Sequence, residues 1–308
     1  MEVRQPDRRS GQGVSPRVAI LGPGAVGGVL TVGFLQAGVP VLCIARPDTA
    51  DLIRSEGLSL RQGQKVETAR PEVTTELQEP VELLLVTVKA PSLEDALERV
   101  DVQPASVVPL LNGIEHMQTI RDELPGSSVV AGTIGRIEAY LERPGTIIQP
   151  TPSVVMTVAS DVDDGTVELL RQSGTEVLVN GSEAEVLWEK LARQAPVAAA
   201  TALTQRRIGD LRSDPEWRHR LQEAISETCA IAAADGVTLS PDVQWEIIEG
   251  MPPLLTSSTA RDVAAGRPSE LDAITGAAVR ASRRVGVAAP VLEALFAEAE
   301  EACRPLLR

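Results

Sequence analysis

The chain has 308 residues, of which 43% are hydrophobic and 23% are charged, a composition typical of a globular protein with up to two domains. Its formal net charge of −14 argues against a nucleic-acid partner, because a phosphate backbone is bound by a basic face. No apolar run approaches the roughly 20 residues that a membrane-spanning helix needs, so we expect no membrane partner.

The three cysteines, Cys43, Cys229 and Cys303, are far apart and form no C-x-x-C pair, which argues against a disulfide framework and a metal site. Residues 1–16 are polar and lack the apolar stretch of a secretory signal peptide. We therefore expect a disordered extension at 1–16, no metal ion and a cytoplasmic location.

The most informative segment is a glycine-rich turn, Gly22-Pro23-Gly24-Ala25-Val26-Gly27. It follows an apolar run typical of a buried first strand and precedes residues that can open a helix. In this context G-x-G-x-x-G predicts a dinucleotide-binding turn: its glycines allow the tight turn, the approach of a pyrophosphate and close packing of the helix. The N–H groups at the helix start would then bind phosphate. A plain glycine-rich turn is the alternative.

Short apolar runs alternate with helix-like segments between residues 17 and 180. Runs typical of buried parallel strands lie at 17–21, 39–44, 81–88, 106–111 and 129–132. Helices are predicted at 48–56, 92–100 and 115–124, and a hairpin at 57–73. This alternation predicts an α/β domain with a Rossmann-type doubly wound parallel sheet. We expect the strand-rich segment 140–179 to complete this sheet with antiparallel edge strands.

The pattern changes from strands to helices near residue 180. Ser182 and Glu185 form a capping box, S-x-x-E, which predicts the start of a long helix. Further helices are predicted at 215–234, 241–249, 257–265, 269–285 and 290–305, with Ser269 as a candidate cap. We therefore divide the chain into a dinucleotide-binding domain at 17–180 and an all-helical domain at 181–308.

The residue that closes the second strand of a dinucleotide fold meets the adenosine ribose. Here the strand is followed by Arg46, and no acidic residue stands where an NAD enzyme would place one. An arginine suits a 2′-phosphate because its forked guanidinium is always charged. Arg46 therefore indicates NADPH/NADP+ as the cofactor, the alternative being a solvated surface arginine.

Polar residues follow two strands of the predicted sheet at their carboxyl ends, where open α/β sheets bind ligands. Lys89 ends the run 81–88, and Asn112 with Gly113 follows the run 106–111. We expect both side chains to lie at the cofactor cleft. Taken singly, Lys89 also fits a lysine at the rim of a sheet, and Asn112-Gly113 fits a tight turn.

Two segments of the helical half carry further candidate residues. Lys190, Gln194 and Ala198 are spaced four residues apart and share one face of the long helix. Glu270 lies in a dense polar segment, where it fits either a catalytic role or a helix start. Lys190 equally fits a helix-surface lysine, and we expect His116 to be a partly exposed helix residue without a catalytic role.

Together these residues resemble the ketopantoate reductase family, also called 2-dehydropantoate 2-reductases. The resemblance rests on the glycine turn, Arg46, Lys89, the Asn112-Gly113 step and two longer motifs, W-x-K-L at 188–191 and S-S-x-x-x-D…R-P-S-E-x-D-x-I at 257–274. It implies NADPH-dependent reduction of 2-dehydropantoate to pantoate, a step of pantothenate and coenzyme A biosynthesis. The 2-oxo acid substrate would lie in a cleft between the dinucleotide-binding and helical domains.

The resemblance also implies a role for each candidate residue. Lys190 looks like the catalytic lysine that contacts the ketone oxygen and supplies a proton, and Glu270 looks like the carboxylate that helps hold the substrate and that lysine. Ser258 matches a serine that binds the substrate carboxylate. Asn112 matches an asparagine near the nicotinamide and substrate, and Lys89 a lysine of the cofactor cleft. A homodimer joined through the helical domain is compatible with the resemblance.

The chain departs from the family on the helix that carries Lys190. Relatives usually read K-L-x-x-N with a second asparagine four residues later, where this chain has Gln194 and Ala198. If those asparagines contact substrate, both positions belong to a pocket wall that is less polar here and selects less well for a polar substrate. Two alternatives stay open: reduction of a less polar 2-oxo acid, and a non-catalytic NADP(H)-binding module.

Overall fold

The computed structural model describes residues 17–304, so the extension expected at 1–16 lies outside the described residues. The strands of the described part are β1 (Val18–Leu21), β2 (Val41–Ile44), β3 (Leu58–Gln62), β4 (Lys65–Ala69), β5 (Glu72–Thr74), β6 (Leu83–Val86), β7 (Ser106–Pro109), β8 (Ser128–Val129), β9 (Gly132–Arg143), β10 (Thr146–Val158) and β11 (Glu176–Val179).

The α-helices are α1 (Ala25–Gln36), α2 (Pro47–Glu56), α3 (Leu93–Leu97), α4 (His116–Glu123), α5 (Asp164–Gln172), α6 (Glu183–Thr204), α7 (Ile208–Ser213), α8 (Pro215–Ala234), α9 (Pro241–Glu249), α10 (Ser258–Ala264), α11 (Ala277–Val285) and α12 (Pro290–Cys303). A 3₁₀ turn at Ala90–Ser92 follows β6, and a π-helical turn at Asp272–Gly276 precedes α11.

Six parallel strands form the first sheet, in the order β5-β2-β1-β6-β7-β8. The chain moves outward from β1 to β2 and β5, then returns to β6 on the other side of β1. The direction of winding therefore reverses between β1 and β6, which confirms the predicted doubly wound sheet. Such a reversal is where open α/β sheets bind ligands.

The segment after β8 does not extend this sheet, so the prediction of antiparallel edge strands was wrong. β9 and β10 pair with each other, and β10 also pairs in parallel with β3 and β11, building a second sheet that contains β4. β9 and β10 have 12 and 13 residues, so most of their backbone would stay unpaired beside strands of four residues or fewer. The predicted hairpin at 57–73 is confirmed as β3–β4.

After residue 182 the described chain is helical, as predicted. Ser182 and Glu185 form the capping box at the start of α6. This 22-residue helix contains Pro196, whose missing N–H would leave the carbonyl of Ala192 unpaired. Thr228 of α8 donates a hydrogen bond to that carbonyl at 2.6 Å, which lets α6 run through the proline.

The apolar core follows the same division of the chain. One cluster contains residues from Val18 to Leu187 and packs around the two sheets, whereas three smaller clusters between Trp188 and Cys303 belong to the helices. Within residues 17–304, no helix is long and apolar enough to cross a membrane. The sheet edge after β6 and β7 meets α6, α10 and the segment before the π-helical turn, and we call this junction the cleft.

Candidate active site

The predicted dinucleotide turn joins β1 to α1 where the winding of the sheet reverses. Gly22 has a φ of +87°, and a Cβ atom there would collide with the side chain of Val88, so glycine is required. A Cβ atom on Gly27 would collide with Thr87, whereas the nearest neighbour of one on Gly24 would lie 3.9 Å away. The turn is therefore tightly packed against the sheet and open at Gly24, which leaves the room that a pyrophosphate needs.

Donors for an anion are present at the same turn. The N–H groups of Ala25 and Val26 belong to the first turn of α1 and have no partner within the helix. Arg46 lies two residues beyond Ile44, whose carbonyl accepts a hydrogen bond from the N–H of Gly22 at 3.0 Å. Arg46 is exposed and forms no ion pair with a residue that the structure describes. These residues fit a dinucleotide cofactor.

A chain of hydrogen bonds connects the candidate catalytic residues across the cleft. The ammonium group of Lys190 donates to Oδ1 of Asn112 at 2.8 Å, and Gln194 donates to the same oxygen at 3.0 Å. The Nδ2 group of Asn112 donates to Oε2 of Glu270 at 3.0 Å. The structure thus brings together residues from α6, from the loop after β7 and from the segment before the π-helical turn.

The surroundings of Lys190 lower the pKa of its ammonium group. The side chain retains some solvent contact but is surrounded by protein, and this burial lowers the pKa of Lys190 to about 8. The charge of Glu270 raises that pKa, and the charge of Arg193 lowers it further. At neutral pH Lys190 is therefore still protonated, with a pKa close to the range in which it can release its proton.

Lys89 reaches the cleft from the sheet edge, but its partner was not predicted. Its Nζ lies 2.6 Å from Oδ2 of Asp262 on α10, and Oδ1 of Asp262 accepts a hydrogen bond from Nε of Arg267 at 3.1 Å. Asp262 is 5% exposed. The sequence contains this residue in the motif S-S-x-x-x-D, but no pattern in the sequence indicated that its carboxylate is buried.

Comparison with known proteins identifies the family of this chain. The family model described as ketopantoate reductase PanE/ApbA matches residues 18–160, and its C-terminal counterpart matches residues 184–302. The chain belongs to the ketopantoate reductase family. It is therefore an oxidoreductase of that family, as the motifs in its sequence indicated.

Individual members of the ketopantoate reductase family are similar along almost the whole chain. The 2-dehydropantoate 2-reductase of Pyrobaculum aerophilum is 30% identical over 288 residues, covering 90% of this chain and 94% of the relative. A crystal structure of a PanE/ApbA family ketopantoate reductase from Ralstonia eutropha JMP134 has a TM-score of 0.84 and 26% identity, covering 94% of this chain and 99% of that one. A ternary structure of D-mandelate dehydrogenase with NADH and anilino(oxo)acetate has a TM-score of 0.86 at 22% identity, covering 94% and 98%, and shares the fold.

Two residues that were expected to bind substrate, Ser258 and Ala198, differ in how accessible they are to a ligand. Ser258 is half-buried, and its hydroxyl has no hydrogen-bond partner within residues 17–304, since the cap of α10 is Ser257. Ala198 is 1% exposed and packs in an apolar cluster with Trp188 and Ile274, so the expectation that it lines the pocket was wrong. Eight residues rotate a helix about 80° beyond two full turns, which takes Ala198 away from the face of Lys190.

Two further expectations were wrong. His116 is 5% exposed rather than partly exposed, and burial together with the charge of Lys190 lowers the pKa of His116 to about 4, so it is neutral at pH 7. Ser269 caps no helix and forms no hydrogen bond with the described residues, because the chain enters the π-helical turn through Glu270 and Leu271. Such turns are frequent at functional sites. Within residues 17–304, no three metal-ligating side chains are grouped as a metal site would require.

Proposed function

We propose that this chain catalyses the NADPH-dependent reduction of a 2-oxo acid, with 2-dehydropantoate as the first candidate substrate and pantoate as its product. The observation that carries the proposal is the chain Lys190–Asn112–Glu270 beside an open dinucleotide turn. A relative named 2-dehydropantoate 2-reductase is 30% identical over nearly the full length, which supports both the reaction and its place in pantothenate biosynthesis.

The residues of the cleft can perform the protein's part of this reaction. When bound, the reduced nicotinamide would supply the hydride to the keto carbon. Lys190 then donates a proton to the substrate oxygen, and its positive charge stabilises the negative charge that develops there. Asn112 fixes the direction of the ammonium group, and Glu270 favours its protonated form. The free hydroxyl of Ser258 is available to the substrate carboxylate.

We propose NADPH rather than NADH as the cofactor because of where Arg46 lies and because its side chain is exposed and unpaired in the described part of the chain. Arg46 lies two residues after the end of β2, its side chain is exposed, and no acidic residue in the described part of the chain forms an ion pair with it. A free arginine at this position can form charge-assisted hydrogen bonds with a 2′-phosphate, whereas the hydroxyl of NADH offers it no charge.

A less polar 2-oxo acid is the second candidate substrate. Gln194 occupies a position where relatives have asparagine, and its amide nitrogen is already bonded to Asn112. D-mandelate dehydrogenase, which shares the fold, is described with an anilino(oxo)acetate ligand. A non-catalytic NADP(H)-binding module is the third candidate function. The hydrogen bonds that join Lys190 and Glu270 to Asn112 disfavour it.

The test is a panel of 2-oxo acids assayed with NADPH and NADH, using wild type, Lys190→Met and the control Lys65→Met. Lys65 lies on the exposed hairpin β3–β4, so its substitution removes an equal charge outside the cleft. We expect Lys190→Met to lower kcat by about 10²- to 10⁴-fold while leaving NADPH binding intact, and Lys65→Met to behave as wild type. Failure of wild type to oxidise NADPH with any 2-oxo acid would refute the proposal, as would full activity of Lys190→Met.

A further inference from the structure

A buried acid holds Lys89 across the cleft. The carboxylate of Asp262 is 7% exposed, whereas the side chains of Lys89 and Arg267 are 47% and 54% exposed. Each carboxylate oxygen pairs with one of these cations, at 2.6 and 3.1 Å. The anion is thus the buried member of the cluster, and removing either cation leaves one of its oxygens unpaired, which is unfavourable for a buried charge.

A second acid of the same region holds the residue that follows Lys89. The N–H of Ala90 donates a hydrogen bond to Oε1 of Glu270 at 3.3 Å. On the other side, Val88 packs so closely against Gly22 that no Cβ atom would fit there. Segment 88–90 therefore connects the dinucleotide turn to both acids, and it connects them within three consecutive residues.

We infer that Asp262 is a positioning residue, which holds segment 88–90 against the helical region through its ion pair with Lys89. Through this segment it sets the distance between the dinucleotide turn and Glu270. Any effect of the Lys89–Asp262 pair on turnover rests on the proposed function, whereas its effect on the position of segment 88–90 does not. The competing explanation is that Asp262 only stabilises the loop after α10, where its backbone carbonyl accepts a hydrogen bond from the N–H of Arg267.

Hydrogen exchange of the peptide 87–93 separates these two explanations without requiring turnover. In wild type, the amide of Ala90 donates a hydrogen bond to Glu270, and we expect this bond to slow its exchange. We expect Asp262→Asn to speed exchange of this amide by about tenfold or more, because the segment loses its ionic anchor. Arg267→Met is the matched control: it removes the partner within the loop and spares the pair with Lys89. It should leave the exchange rate of peptide 87–93 unchanged.

Glu115→Gln is a second control, because Glu115 also joins the two regions through an ion pair, with Arg280 at 2.7 Å, but outside this segment. Unchanged exchange in Asp262→Asn would overturn the inference, and so would equal acceleration in Arg267→Met or Glu115→Gln. If Asp262→Asn does not fold, Lys89→Met removes the other partner at a half-exposed position. The same acceleration is expected there, and its absence would equally overturn the inference.

A kinetic measurement adds the functional consequence. We expect Asp262→Asn to lower kcat/KM for the 2-oxo acid by roughly 10- to 100-fold, since small misplacements of reacting groups have effects of this size. Binding of NADPH, measured by fluorescence titration, should change by less than about twofold, because no cofactor contact is removed. Loss of kcat/KM and cofactor affinity together would indicate general damage and contradict a positioning role. A wild type without turnover would refute the proposed function and leave the exchange result valid.

Discussion

The charge of Glu270 should control the pH at which the reductase loses activity. In the proposed reaction Lys190 must be protonated to donate to the substrate oxygen, and its pKa is about 8, so we expect kcat/KM to fall above about pH 8. The carboxylate of Glu270 raises this pKa. Replacing it with the neutral amide in Glu270→Gln should therefore move the alkaline limb of the profile to lower pH.

The size of this movement follows from the geometry. One amide, that of Asn112, accepts from Lys190 at 2.8 Å and donates to Glu270 at 3.0 Å, which keeps the ammonium and carboxylate within about 8 Å. Two unit charges at that distance interact by about 0.5 kcal/mol in water and about 2 kcal/mol at the effective dielectric of a protein site. The pKa of Lys190 should thus fall by about 0.4 to 1.5 units.

The assay is the initial rate of NADPH oxidation across the pH range, with cofactor saturating and the 2-oxo acid varied. Arg193→Gln is the opposing variant, because the charge of Arg193 lowers the same pKa, and its limb should move to higher pH. Glu298→Gln should leave the limb in place, because this carboxylate pairs with Arg220 and is not among the charges that shift the pKa of Lys190. An unmoved limb in Glu270→Gln, or one that moves upward, would refute this account of Lys190 even if the overall rate falls.

Three further predictions concern single residues. Arg46→Ala should weaken NADPH binding by about 10- to 100-fold and leave NADH binding within about twofold, as titration of the cofactor fluorescence would show. Ser182→Ala should lower the free energy of unfolding by about 1 kcal/mol in urea, through loss of the capping box of α6. Lys190→Met should raise the free energy of unfolding at pH 7 by about 1 to 3 kcal/mol, since folding lowers the pKa of Lys190 from 10.5 to about 8. The wild type should recover this difference as the pH rises from about 8 to 10.5, and a constant difference between the two proteins would contradict the assignment.

Most of the first sheet was predictable because five of its six strands carry their own signal, whereas β5 begins inside the segment predicted as a hairpin. β1 and β6 are continuous aliphatic runs and β7 has two central valines, all three strands are buried along their length, and their order follows from the winding of β-α-β units. The second sheet was not predictable in the same way. The residues of β9 and β10 indicate extended chain, but the choice of β3 and β11 as neighbours depends on contacts far apart in sequence.

The candidate site shows the same limit at the level of side chains. Lys190, Asn112 and Glu270 could each be named from their own segments, but the bonds between them join residues 78 and 158 positions apart. Asp262 could not be assigned a role, because an acid on a short polar helix has the same sequence pattern whether it is solvated or buried. Its low exposure and its pairing with Lys89 appear only when the sheet edge and α10 are brought together.

Gln194 provides a physical basis for choosing between the two candidate substrates. Its Nε2 group is bonded to Asn112, whereas its Oε1 atom is buried without a hydrogen-bond partner in the described part of the chain. A buried acceptor left unpaired costs about 1 to 3 kcal/mol, so a ligand that brings a hydroxyl donor to this oxygen gains affinity. 2-Dehydropantoate carries such a hydroxyl, and a purely apolar 2-oxo acid does not. Ala198 no longer weighs against a polar substrate, because it is packed in the helical core and does not line the cleft. The side chains of α6 therefore favour a hydroxylated 2-oxo acid, although the asparagines typical of relatives are absent.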